Sequence, residues 1–371
     1  MNYLDMQRLV GQDPDLFIPL IPALEDLATC PQDPLYHAEG DVWTHTRMVI
    51  QALQESWGRC SEQDRFILFY AALLHDIAKP STTVVGTEKI TSAGHSSRGA
   101  IDARILLWRA GVPFAIREEI CRIIRRHQEP FWVLNKPQPE RFYRGWSVDQ
   151  RLDLLIQVAQ ADMRGRVCPD QDKVLGHTEL LSLMAEEDGC LSNPYPFAND
   201  DIRMRYCDGD SVSPLHALHQ EPRLTVHLTC GLPASGKSTW IKKQGLPVVG
   251  QDETRAAMKL KYGDNEGSVT QAMREQVREH LRARTPFIWN GTRLKAALRR
   301  KDIDLLRSYP DIDVVIHYFE APEQILLQRN RNRGGSLTNS KIGEMLLSWE
   351  VPLPSEAHKV VYEIDKSLPI T

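Results

Sequence analysis

The stretch LLHDIAKP, residues Leu73 to Pro80, closes an apolar run that starts at Phe66 and then delivers His75, Asp76 and Lys79 in about one helical turn. The apolar residues Phe66, Phe69, Tyr70, Leu73, Leu74 and Ile77 recur at helical spacing behind Ser61, a residue suited to cap a helix. That spacing predicts a buried helix that carries two ionisable groups inward at its end. Burying an unpaired carboxylate costs several kcal/mol, so such a group needs a compensating cation.

Working outward, the first half of the chain reads as helix after helix. PFAIREEICRIIRRH places His127 on the stripe of Ile116, Ile120, Ile123 and Ile124, and DQRLDLLIQVAQAD places Asp162 one turn past Val158. His45 lies in DVWTHTRMVI, an amphipathic helix starting near Asp41, and His95 opens another in GHSSRGAIDARILL. TTVVGTEKIT reads as a small hairpin. A single inward histidine is most often a hydrogen-bonded core residue. Five inward groups with Asp162 as a sixth are better explained by a divalent metal, and imidazole with carboxylate suits Zn, Mn, Fe, Co or Ni over Ca.

After about residue 220 the texture changes. RLTVHLT alternates as a strand, GLPASGKSTW follows it, and LPVVG, PFIW, DVVIHYF and KVVYEI are further short strands with helical stretches between most of them. The turn-rich segments NPYPFANDD and DGDSVSPLHALHQEP mark the linker. The fold class is therefore two domains: an all-α helical bundle over residues 1–215 and an α/β P-loop domain with a parallel sheet over 222–371.

Composition agrees. The chain has 371 residues, 42% hydrophobic and 25% charged, and no apolar run near the ~20 residues of a membrane span. The start MNYLDMQRLV shows no secretory signal, and seven cysteines without a CxxC pair fit reduced thiols, so a cytoplasmic protein is expected. Residues 1–215 carry net −9 and residues 216–371 net +5, which is compatible with a polyanion approaching the second half or simply with two different surfaces.

GLPASGKS fits the GxxxxGKS phosphate loop between a strand and a helix. Gly231, Leu232, Pro233, Ala234, Ser235 and Gly236 would turn backbone N–H groups toward phosphate oxygens, ahead of Thr239 in the helix. Lys237 would reach the β- and γ-phosphates of ATP or another nucleoside triphosphate, and Ser238 would ligate Mg. Asp252 in VVGQDETR ends the next strand, where a carboxylate can accept a proton from an attacking hydroxyl, and Arg255 can grip a phosphate bidentately. LLQRNRNRGGS offers Arg329, Arg331 and Arg333 before a Gly-Gly hinge, suited to a lid or to a solvated basic turn.

These motifs carry resemblances. His45, the doublet His75-Asp76, His95, His127 and Asp162 match the order of HD-domain metal phosphohydrolases over roughly residues 30 to 170, and YHAEGDVWTHT looks like the HD module of bacterial tRNA nucleotidyltransferases. The resemblance implies two divalent transition metals: one on His45, His75, Asp76 and Asp162, the other on His95 and His127 with Asp76 bridging. Paired metals acidify a water and stabilise both oxygens of a displacement at phosphorus. Lys79 would neutralise a phosphate oxygen or simply complement its helix end, His37 would meet the substrate or pack beneath the loop, and Arg164 and Arg166 are candidate phosphate clamps.

GLPASGKSTW, the DxxR of Asp252 and Arg255, and QRNxxR with Arg329 and Arg333 resemble the kinase domain of the polynucleotide kinase–phosphatase family over about residues 224 to 345. That resemblance makes Asp252 the general base, Arg255 the grip on the acceptor's adjacent phosphate, and Arg329 and Arg333 donor clamps. FIWNGT departs from it, with Asn290 where many such kinases have aspartate. Together the halves resemble bacterial HD–polynucleotide kinase end-healing enzymes. The implied substrates are RNA, or DNA, ends bearing a 5′-OH and a 2′,3′-cyclic phosphate, with a functional link to an RNA ligase. A nucleotide phosphohydrolase fused to a metabolite kinase, and an ATP-gated nucleic-acid sensor with an inert HD module, are the alternatives.

Overall fold

The computed structural model describes residues 1–58, 60–217, 223–332 and 337–365. The chain divides into two compact units, Met1–Pro196 and Phe197–Thr371.

The first unit is helical. Its centre is α2 (Glu62–Leu74), in which every residue from Phe66 to Leu74 is buried. A helix apolar on all sides must be surrounded, and α1 (Val42–Ser56), α4 (Phe114–Arg126) and α5 (Leu152–Arg164) pack against it, with α3 (His95–Arg109) lying on α4. Side-chain caps fix where the first two helices begin. Asp41 accepts from the Thr44 N–H at 2.9 Å and Ser61 from the Asp64 N–H at 3.1 Å, each satisfying an otherwise orphaned donor. His75 closes α2 in helical geometry, and Pro80 then sits in the first turn of a new four-residue helix, Lys79–Thr82, where its missing N–H costs nothing. The stretch TTVVGTEKIT forms an antiparallel hairpin of β1 (Val84–Val85) and β2 (Ile90–Thr91).

The second unit holds a five-stranded sheet in the order β4-β5-β3-β6-β7, with every pairing parallel. The strands are β3 (Leu224–Gly231), β4 (Val248–Val249), β5 (Phe287–Trp289), β6 (Ile312–Glu320) and β7 (Lys359–Ile364). All five strand-like runs of the sequence are thus strands. β3 is central, so the loop that follows it emerges at the carboxyl edge where ligands bind in such sheets.

The linker differs from expectation. Helix α6 (Asp200–Asp208), counted with the first half on turn composition, is part of the second unit. Arg203 donates to the carbonyls of Pro354, Ala357 and His358 at 2.5, 3.1 and 2.6 Å, and Asp201 pairs with Arg223 at 3.0 Å. Charged groups on the helix bind it there, which a search for turn formers does not detect.

Candidate functional site

The helical unit brings all six H…HD…H…H…D positions together. His45, His75, His127 and Asp162 are fully buried, with Asp76 and His95 nearly so. The ring orientations have a common cause. Nδ1 of His75, His95 and His127 lies 2.7, 2.7 and 2.8 Å from the carbonyl oxygen three residues earlier, on Ala72, Ser92 and Ile124. A carbonyl only accepts, so Nδ1 carries the proton and Nε2 presents its lone pair inward.

The Nε2 atoms of the cluster converge. Nε2 of His75 is 3.4 Å from Nε2 of His45, and Nε2 of His95 is 3.5 Å from Nε2 of His127. Both oxygens of Asp76 are buried, and Oδ2 lies 2.7 Å from Lys79 Nζ and 3.1 Å from His75 Nε2. Imidazole nitrogens converging on a buried carboxylate are the donor set of a cation site. Ligand-type atoms of His45, His75 and Asp76 form one close group and those of Asp76, His95 and His127 another, so Asp76 is common to both. A third group joins His75, His127 and Asp162. The residues fit divalent metals.

Electrostatics separate acids from bases here. Burial pushes the Asp76 carboxyl up, yet His75 and Lys79 outweigh it and hold it well below the usual range. Asp162 is likewise held low against burial, by Arg166 and His45. Desolvation lowers His127 to about 3 and also lowers His95, so both stay neutral as ligands must.

Around this centre, Lys79 reaches Asp76 and also donates to Gln32 Oε1 at 2.7 Å. Arg166 grips Asp162 with two bonds of 2.9 and 2.7 Å, whereas Arg164 is exposed. His37 is buried, its Nδ1 2.7 Å from Glu39 Oε1, and burial lowers its pKa to about 4. Glu39 was not anticipated. The same Oε1 lies 3.1 Å from Nδ1 of His45, so one carboxylate tethers two imidazoles. Its only trace in the sequence is the H-x-E spacing of YHAEGD.

The second unit opens a cleft of about 1650 Å³ at the carboxyl edge of its sheet, lined among others by Ser235, Lys237, Ser238, Asp252, Asn290 and Arg329. Gly231 has φ +140°, and a Cβ there would meet the Phe319 carbonyl oxygen at 2.3 Å. Only glycine allows β3 to turn into the loop beside β6. Lys237, the first residue of α7 (Lys237–Ile241), bends back to the carbonyls of Gly231 and Leu232 at 2.7 Å each. Among the described residues, the buried Ser235 Oγ has no hydrogen-bond partner. A cradle with a folded-back lysine and an unsatisfied hydroxyl fits a bound phosphate.

Asp252 lies in the first turn of α8 (Gln251–Ala257), with its side chain 88% exposed to the cleft. Arg255 is buried: its Nη1 donates to Asp252 at 2.6 Å, its Nη2 to both Glu266 oxygens at 2.9 Å, and its guanidinium packs over Tyr262. Glu266 opens α9 (Glu266–Arg282) and was not foreseen, since nothing at a separation of eleven residues signals the pairing. Arg329 lines the cleft and donates to Asp365 at 2.7 Å. Arg333 and the Gly-Gly pair lie outside the described residues.

Residues 42–163 match the HD domain family and residues 226–352 an AAA domain family. The multifunctional CCA protein of Halorhodospira halophila is 30% identical over 152 residues, covering 40% of this chain and 35% of that protein. That of Pasteurella multocida is 29% identical over 157 residues, covering 40% and 36%. The chain thus spans little more than a third of the length of the curated relatives it matches. Among solved structures, a sugar kinase from Janibacter sp. HTCC2649 aligns with 20% identity and TM-score 0.31 over 40% of this chain and 88% of that one. A chain of the Pnkp1/Rnl/Hen1 RNA repair complex aligns with 22% identity and TM-score 0.31 over 37% and 46%. The chain thus carries a stretch that matches the HD domain family followed by one that matches an AAA domain family. Among the described residues no helix is long and apolar enough to cross a membrane.

Proposed function

We propose that the protein heals broken RNA ends: the HD unit opens a 2′,3′-cyclic phosphate and removes the resulting phosphomonoester, and the P-loop unit phosphorylates a 5′-OH. The observation that supports this reading is the presence in one chain of the His/Asp centre on Asp76 and of a cleft lined by Asp252, which pairs with the buried Arg255. A small acceptor need not carry an adjacent phosphate for Arg255 to hold, whereas a polynucleotide always does.

In the HD unit, His45, His75, His95, His127, Asp76 and Asp162 would hold divalent metals. Bound there, such ions supply Lewis acidity and acidify water near neutral pH. Lys79 places its ammonium against a phosphate oxygen, Arg166 fixes Asp162, and Glu39 orients His37 and His45. His37, kept neutral by burial and held by Glu39, meets the substrate.

In the P-loop unit, Gly231 to Gly236 wrap the triphosphate and Lys237 leaves its carbonyl partners for the β- and γ-phosphates. Ser238 contributes its hydroxyl to the Mg that accompanies the nucleotide. Asp252 takes the proton of the 5′-OH as that oxygen bonds to the γ-phosphorus and the bond to the departing diphosphate breaks. Arg255 holds the acceptor's next phosphate and Arg329 the donor. Incubating an RNA with a 5′-OH and a 2′,3′-cyclic phosphate with a nucleoside triphosphate and a panel of divalent metals tests this. Both termini should be converted; phosphorylation of a free nucleoside with the RNA left intact would contradict it.

A further inference from the structure

Asn290 follows β5 at the edge of the cleft, and its amide orientation is fixed. Its Oδ1 accepts from the Thr229 hydroxyl at 3.0 Å, so its Nδ2 points the other way, to Oε1 of Glu253 at 3.1 Å. Glu253 sits in the first turn of α8, one residue after Asp252. Neighbouring helical residues diverge by about 100°, and the doublet divides accordingly. Asp252 turns to Arg255, and Glu253 turns back over Gly250 toward β5. Gly250 makes room for it: a Cβ there would meet Glu253 Oε2 at 2.3 Å and Asn290 Cβ at 3.2 Å. Glu253 and Asn290 line the same cleft as Ser238 and the buried Ser235 hydroxyl, which has no partner among the described residues.

We propose that Glu253 supplies the negative charge that Asn290 lacks, acting as the positioning residue for the divalent cation of the bound nucleoside triphosphate. The inference rests on reading the cleft as a nucleotide site. Asn290 cannot neutralise a cation, but its fixed amide presents the Glu253 carboxylate where a strand-end aspartate would otherwise stand. The sequence VVGQDETR therefore carries two functions side by side, a proton acceptor for the acceptor hydroxyl and an anchor for the cation's hydration shell. The glycine before the doublet is what lets the second carboxylate fold back.

The test is equilibrium binding of a fluorescent nucleoside diphosphate as Mg²⁺ is titrated, which needs no turnover. Glu253→Gln should raise the Mg²⁺ concentration for half-maximal binding about tenfold, the scale of losing an outer-shell carboxylate, and leave metal-free nucleotide binding as in wild type. Adding Asn290→Asp to Glu253→Gln should move the Mg²⁺ requirement back toward wild type, because the charge returns one residue past the strand. An unchanged Mg²⁺ dependence in folded Glu253→Gln protein overturns the inference while the nucleotide site stands. A loss that Asn290→Asp fails to repair marks a purely structural role and also overturns it. Wild-type protein that binds no nucleotide at any Mg²⁺ concentration overturns the reading of the cleft itself.

Discussion

Nε2 of His45 lies 3.0 Å from Oδ1 of Asp162, although 117 residues separate them. The contact exists because α1 and α5 touch almost backbone to backbone at Gly165, where a Cβ would meet Val49 N and Cγ2 at 2.7 Å each. Gly165→Ala must push the helices apart, and overpacking of this kind costs about 1–3 kcal/mol. We expect a lower denaturation midpoint and less than the wild-type metal content after loading. Unchanged values in both would show that the two helices are not held by this approach.

Lys79 pairs with Asp76 at 2.7 Å, with both groups buried. Removing one partner of a buried pair costs about 3–5 kcal/mol, so stripped Lys79→Met protein should melt well below stripped wild type. Added Mn²⁺ should then raise the Tm of the variant more than that of wild type, because the metal takes over the neutralising role. Equal metal-induced shifts would contradict the arrangement.

Arg255 makes three charged contacts in a fork that lysine cannot reproduce. Arg255→Lys should lower kcat/KM for an oligonucleotide acceptor roughly tenfold to a hundredfold, the value of charge-assisted hydrogen bonds. Activity on a nucleoside without a 3′-phosphate should change much less. A uniform loss on both acceptors would assign Arg255 to holding Asp252 alone.

His227 and His317 meet across β3 and β6, with Nδ1 of one 3.0 Å from Nε2 of the other, beneath Trp240. Desolvation lowers both, and His317 falls to about 4, helped by His227 and Lys359. The unfolded chain binds these protons first, near pH 6.5, so the stability they support is complete above that value and is lost as pH falls toward 4. His317→Phe should flatten the acid limb of the unfolding profile between those values. An identical slope in wild type and variant would refute it.

The sequence made the clustering of the six His and Asp positions and the glycine loop legible because most of them lie near the ends of elements whose period is strong. His127 follows the isoleucine stripe of α4, and Lys237 follows a strand and a glycine loop. Glu266 and Glu253 escaped because their partners come from other elements, and Glu39 because its tie to His45 does so while H-x-E is too short a signal on its own. The placement of Asp200–Asp208 escaped for the same reason: its anchors are the backbone carbonyls of Pro354, Ala357 and His358.

The decisive measurement follows both termini of one RNA, carrying a 5′-OH and a 2′,3′-cyclic phosphate, through His75→Ala and Lys237→Ala proteins. His75→Ala should lose processing of the cyclic end and keep 5′-phosphorylation, and Lys237→Ala should do the reverse. A folded variant in which either change silenced both reactions, or a wild-type protein that altered neither end, would contradict two independent phosphate sites serving one nucleic acid.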